Sequence, residues 1–282
     1  MARVMVVAAL VCSFAATALG VTEIHDVVYR TVDGLPLVLD IYLPDSPGSH
    51  PAILFVHGGA WHTGDKRRLA PLARFLAERG YAGFSVNYRL APDFTFPAAL
   101  EDLRCAVKWL RAHAADYGVD PDRIAVLGTS AGAHLVALLG TAPEALGACG
   151  DPGIPSRVQA VIALFGPMDL LSAAGTPAER AVEGFLGAAA GDAPDLWREA
   201  SPITWVSPDD PPFLFIHGRD DRVVPYEESV RMADALRRAG VEARLFLIPG
   251  AGHGFINRPD TPATRAAVAA ILDFLDDTLA VP

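Results

Sequence analysis

Cysteine is scarce in this chain: three in 282 residues, none in a C-x-x-C pair and none beside a histidine at zinc-ligand spacing. That scarcity excludes a small disulfide-built scaffold and gives no sign of a thiol-based metal site. Positive charge is short as well. Lys and Arg number 23 against 33 Asp and Glu, a formal net charge of −10, which argues against nucleic acid or an anionic membrane surface as the main partner. Internal repeats, low-complexity tracts and linker-like stretches are lacking, so one mature domain over residues 21–282 is the simplest division. Charged residues make up only 20% of the chain, whereas hydrophobic residues reach 51%. That balance suits a chain that buries a core rather than one that stays disordered.

The first twenty residues stand apart. Arg3 supplies positive charge, Val4 to Val11 form an apolar stretch too short for a membrane span, and Ala18-Leu19-Gly20 offers a small-x-small cleavage site. Residues 1–20 therefore read as a secretory signal peptide, with a secreted or periplasmic mature chain and no stable membrane insertion after cleavage. Val11 before Cys12 is a poor fit to a lipoprotein signal. Of the remaining cysteines, Cys105 lies in a helical pattern and Cys149 in a Gly-rich loop. Two separate thiols are the expectation, with a single disulfide left open.

Glu23 to Leu43 alternates around Asp33-Gly34, a hairpin signal. Apolar runs typical of strands covered on both faces follow at Ala52 to Val56, Tyr81 to Val86, Ile124 to Leu127, Val158 to Phe165, Pro212 to Ile216 and Ala243 to Ile248. Helical spacing lies between them over Lys66 to Arg79, Ala98 to Ala115, Ala131 to Gly140 and Glu227 to Ala239, and again over Pro262 to Leu279. This alternation implies an α/β fold with a mostly parallel eight-stranded sheet under helices on both faces. Pro167 to Pro211 breaks the pattern and reads as a small irregular lid over the carboxyl ends of the strands.

Gly128-Thr129-Ser130-Ala131-Gly132 joins the run ending at Leu127 to the helix from Ala131. A serine at such a strand-to-helix corner is lifted into a cleft, and small residues two positions either side let strand and helix pack closely. Serine is a poor nucleophile at neutral pH and needs an imidazole to take its proton, held in turn by a carboxylate. Gly252-His253-Gly254 follows the last strand run and can present such an imidazole. For the carboxylate, Asp220 and Asp221 follow the strand ending at Ile216, and neighbouring side chains in extended chain point opposite ways. Asp221 is favoured; Asp220 and Asp169 remain alternatives. His57-Gly58-Gly59-Ala60-Trp61 follows the run ending at Val56, so its amides, with that of Ala131, can serve a developing oxyanion.

The chain thus resembles the small esterases of the α/β-hydrolase superfamily, in its acetyl and feruloyl esterase-like and kynurenine formamidase-like branch, related to hormone-sensitive-lipase-like enzymes. The matching pieces are His57 to Trp61 with Gly64-Asp65, Asn87 to Pro92, Phe96 to Ala99, Gly128 to His134, Asp221 with Val224-Pro225, and Gly252-His253. The resemblance implies Ser130 as nucleophile, His253 as base and acid, Asp221 as orienting carboxylate, and the amides of Gly59, Ala60 and Ala131 as the oxyanion hole, with no metal and no organic cofactor. Thr129 and Ala133 stand where lipase-like members usually carry Asp and Gly, which moves the chain toward the acetyl and feruloyl branch. A large cap domain is not expected.

Further readings concern single residues. Trp61 and His62 are candidate substrate contacts, with core packing the alternative for Trp61. Trp197 and Trp205 fall in the lid, where exposed aromatics would meet a phenolic or sugar ester. Arg89 is expected in a buried pair with Asp102, His134 in packing, and His217 in shaping the acid loop. The implied activity is hydrolysis of a small-molecule ester with a short or aromatic acyl group. A formamidase or small peptidase would use the same triad, and a non-catalytic binding protein on this fold is the alternative from another class.

Overall fold

Alternating side chains fold into an antiparallel pair, β1 (Val21–Val32) and β2 (Leu35–Pro44). Between them Asp33 has φ 49° and Gly34 φ 83°, left-handed at both central positions, as a tight hairpin that follows the strand twist demands. The computed structural model describes residues 20–280, so the expected signal peptide lies outside the described residues but for Gly20.

The six later apolar runs form β3 (His50–Val56), β4 (Ala82–Val86), β5 (Val119–Thr129), β6 (Ala160–Leu164), β7 (Phe213–Gly218) and β8 (Ala243–Ile248). One sheet results, in the order β1-β2-β4-β3-β5-β6-β7-β8. Only the β1–β2 and β2–β4 pairs are antiparallel. Every residue of β4, β6 and β7 is buried, which is why these strands read as continuous apolar runs.

Alternation divides the core between the sheet's faces. Leu54 and Val56 of β3 pack with α2 (Ala98–Ala112), α3 (Ala131–Thr141) and α6 (Glu227–Arg238), through residues such as Leu103, Leu135 and Met232. Ile53 and Phe55 pack on the other face with α1 (Ala70–Ala77) and α7 (Pro262–Leu279), through Leu76, Ile271 and Phe274. The architecture is the α/β-hydrolase fold expected from the sequence.

Local departures have local causes. The helix expected from Lys66 begins as a 3₁₀ turn at Lys66–Leu69 and becomes α-helical only at Ala70, because Pro71 has no N–H to continue an α ladder from Arg67. Cys105 and Cys149, expected as separate thiols, are joined in a disulfide with Cα atoms 5.4 Å apart. Arg104 draws the loop onto α2: its buried guanidinium donates to the carbonyls of Ala142, Pro143 and Leu146 and to Ser156 Oγ. Periodicity places Cys105 on a helix, but only this long-range network places Cys149 beside it.

The segment from Pro167 to Pro211 is more regular than expected. It contains α4 (Glu179–Leu186), α5 (Pro194–Glu199) and two 3₁₀ turns. Trp197 is fully buried, its indole N–H donating to Ala188 O at 3.0 Å, and Trp205 donates to Glu199 O at 2.7 Å. Trp205 borders a cleft with Arg104, Thr141 and Glu144, at the end of α3 opposite Ser130. The two lid tryptophans therefore serve packing instead of facing an ester.

Candidate active site

Ser130 stands between β5 and α3 with φ 54° and ψ −120°, a backbone conformation that non-glycine residues rarely adopt and that costs about 1–3 kcal/mol. Its surroundings hold it there. The Ser130 amide donates to Leu164 O of β6 at 2.9 Å, and its carbonyl accepts from His134 N. A Cβ on Gly128 would lie 2.2 Å from Gly132 O, and one on Gly132 would lie 2.2 Å from Val56 O. The glycines on either side are thus what lets helix and strands close beneath the serine.

Three chain segments meet at that hydroxyl. Ser130 Oγ is 2.9 Å from His253 Nε2, and His253 Nδ1 is 2.7 Å from Asp221 Oδ2. His253 arrives on the loop after β8, and Asp221 on the loop after β7. Phe165, at φ 44° just beyond β6, sets its ring edge-on to His253 with centroids 4.9 Å apart. No sequence pattern pointed to Phe165, because a buried aromatic at a strand end has no distinguishing signal.

Of the three candidate carboxylates, Asp221 is the one brought to His253. Its side chain is wholly buried, and Oδ1 accepts from the amides of Val223 and Val224. Burial opposes its ionisation, but hydrogen bonds from His217 and His253 and from the two amides outweigh that cost and hold the carboxyl well below the usual carboxylate range. His217, wholly buried, places Nε2 3.0 Å from Val224 O and 3.3 Å from Asp221 Oδ2, while Nδ1 meets Ser229 Oγ at 2.8 Å. Asp220 is exposed, and Asp169 instead caps a 3₁₀ turn by accepting from Leu171 N.

His57-Gly58-Gly59-Ala60-Trp61 lies against the serine corner. A Cβ on Gly58 would sit 2.6 Å from Thr129 O and 3.0 Å from Ser130 Cβ, and one on Gly59 would sit 1.9 Å from Thr63 O. These glycines are required by the protein's own backbone before any substrate enters. Gly59, Ala60 and Trp61 all have positive φ, at 136°, 53° and 64°, so the loop curls tightly while the Ala131 amide begins α3. His57 is 1% exposed and stacks on Tyr88, with its pKa pushed down to about 4 by burial.

The two candidate substrate contacts are engaged by protein. Trp61 is 4% exposed and stacks on Phe185 of α4, and its indole N–H donates to His134 Nδ1 at 3.2 Å. This is the packed alternative. His62, half-buried, meets Ala181 O of α4 at 3.0 Å through Nε2. Arg89 binds Asp102 through Nε and its amide, both at 2.9 Å, the structural pair expected from the sequence.

A family model described as BD-FAE matches residues 39–236 of this sequence. The chain belongs to the BD-FAE family. A second model, described as TAP-like protein, matches residues 197–277. Among relatives of this BD-FAE member, esterase LipQ of Mycobacterium tuberculosis is 38% identical over 84% of the chain, and probable carboxylic ester hydrolase LipM of the same organism 35% identical over 80%. The chain spans only 58% and 54% of those two proteins. The structure of a thermophilic esterase, Est2 of Thermogutta terrifontis, superposes with a TM-score of 0.79 at 29% identity, covering 93% of this chain and 94% of that one. Other structures of that esterase show it bound to propionate and phosphorylated by paraoxon.

Proposed function

We propose that this BD-FAE family member is a secreted or periplasmic serine carboxylic-ester hydrolase acting on short-chain or aromatic acyl esters of small molecules. The observation that carries the reading is the unbroken chain from Ser130 Oγ through His253 to Asp221, at 2.9 and 2.7 Å. Ser130 Oγ attacks the ester carbonyl as its proton passes to His253 Nε2. The carbonyl oxygen becomes an oxyanion held by the amides of Gly59, Ala60 and Ala131. Asp221 stabilises the imidazolium, which gives its proton to the departing alkoxide and leaves an acyl-enzyme. Water then repeats the sequence with His253 as base and releases the acid and free Ser130.

The esterase names of the relatives support ester hydrolysis, and the propionate-bound neighbour supports a short acyl group. The Cys105–Cys149 disulfide supports export to an oxidising compartment. Rates on p-nitrophenyl acetate, butyrate and decanoate, methyl ferulate and N-formylkynurenine test the assignment. The two short nitrophenyl esters or the ferulate are expected to be turned over fastest and Ser130→Ala to be inactive. Preference for N-formylkynurenine would make the enzyme a formamidase, and full activity of Ser130→Ala would remove the serine mechanism.

A further inference from the structure

The amides assigned to the oxyanion hole come from two separate pieces of chain. Gly59 and Ala60 belong to the loop after β3, and Ala131 belongs to α3. The buried ring of His134 joins those pieces. His134 lies one turn into α3, with its amide on Ser130 O at 3.1 Å. Its Nδ1 accepts the indole N–H of Trp61, the residue directly after Ala60, at 3.2 Å. Its Nε2 donates to Ala200 O at 2.7 Å, which fixes the tautomer that leaves Nδ1 free to accept. Phe185 completes the clasp, parallel to Trp61 at 4.7 Å and edge-on to His134 at 5.7 Å.

A loop with three successive residues at positive φ does not hold its shape by backbone preference. The Trp61 backbone is tied by its carbonyl, which accepts from Ala91 N. Its side chain ends on His134. We infer that the Trp61–His134 hydrogen bond is a positioning contact that sets the spacing between the loop amides and the Ala131 amide, and so tunes how well the hole fits the tetrahedral intermediate rather than the bound ester. The contact rests on the serine-hydrolase reading. His134 is fully buried and its pKa is pushed down to about 4 by that burial, so Nδ1 remains an acceptor at neutral pH.

Trp61→Phe keeps the stacked ring and deletes only the N–H. With p-nitrophenyl acetate, kcat is expected to fall about tenfold or more at unchanged KM, a part of the 10²–10³-fold lost when a donor is removed outright. Affinity for 1,1,1-trifluorobutan-2-one, whose adduct with serine carries an oxyanion, should fall by the same factor, while inhibition by propionate stays put. In His134→Asn the amide oxygen takes over from Nδ1 and most of kcat should return; His134→Leu should match Trp61→Phe. Unchanged kcat and ketone affinity in Trp61→Phe, or equal loss in the two His134 variants, overturns the inference. Ser130→Ala separates the levels: an inactive Ser130→Ala beside a fully active Trp61→Phe rejects only the positioning role, whereas an active Ser130→Ala rejects the reading beneath it.

Discussion

His217 and His253 approach the same oxygen of one carboxylate: Oδ2 of Asp221 lies 3.3 Å from His217 Nε2 and 2.7 Å from His253 Nδ1. The Val223 and Val224 amides hold Oδ1 and the buried His217 ring packs beside Oδ2, so the carboxylate keeps one orientation and presents Oδ2 to the imidazole that faces Ser130. Replacement of Asp221 by Asn would keep the shape but offer His253 the wrong partner for its Nδ1–H, and such changes in triads cost about 10⁴-fold in kcat. Asp221→Asn is therefore expected to lose about three to four orders of magnitude on p-nitrophenyl acetate, and the exposed Asp220→Asn less than about threefold. Steady-state rates of the two variants check this, and the reverse order would move the acid by one residue.

Asp102 is a stability residue. Its side chain is fully buried and receives Arg89 Nε at 2.9 Å and Arg30 Nη1 at 2.7 Å, tying β1, α2 and the segment after β4. Asp102→Ala would strip Arg89, 9% exposed, of its buried partner and leave it Glu101 and the carbonyl of Ala98, a change worth at most about 3–5 kcal/mol. Urea unfolding should show a loss of that order, and a shift below about 1 kcal/mol would remove the pair from the stabilising set.

Acid should weaken the fold through His57 and His134. Burial lowers both from 6.5 to about 4. Between those values the unfolded chain binds protons that the native chain refuses, so stability falls as pH drops. The contribution is whole above about 6.5 and gone below about 4, and at about 1.4 kcal/mol per pH unit each ring accounts for about 3 kcal/mol. Urea midpoints measured from pH 7 to 4 should decline steadily, with proton uptake on unfolding near pH 5. A flat profile would contradict the buried neutral rings.

The disulfide closes a loop of 44 residues in sequence separation around β5 and α3. Closing such a loop restricts the unfolded chain by about 2–4 kcal/mol. Reduction, or Cys149→Ser, should lower the thermal midpoint by several degrees, on the scale of a few kcal/mol for a chain of this size. Catalytic constants well below that midpoint should hold, because the bridge ties α2 to the loop beyond the far end of α3. An unchanged midpoint on confirmed reduction would show that the Arg104 network alone holds the loop.

The alternating hairpin, the order of strands and helices and the serine corner were legible because each is written in neighbouring residues. Periodicity of 2 or 3.6 and glycines at fixed offsets are local signals. Asp221, His253 and Ser130 could be named from their places at strand ends, where a parallel sheet gathers its loops. The 3₁₀ turn at Lys66 was missed although Pro71 announced it.

The sequence by itself determined the fold class and the kinds of side chain available for acyl chemistry. Only the tertiary structure decided which partners they have: Asp221 over Asp220 and Asp169, Cys149 beside Cys105, Trp61 on His134 instead of open to the cleft, and Trp197 buried within the lid. Each of these pairings depends on how one loop or helix lies against another. That is set by packing and hydrogen bonds across the fold, which no local period records.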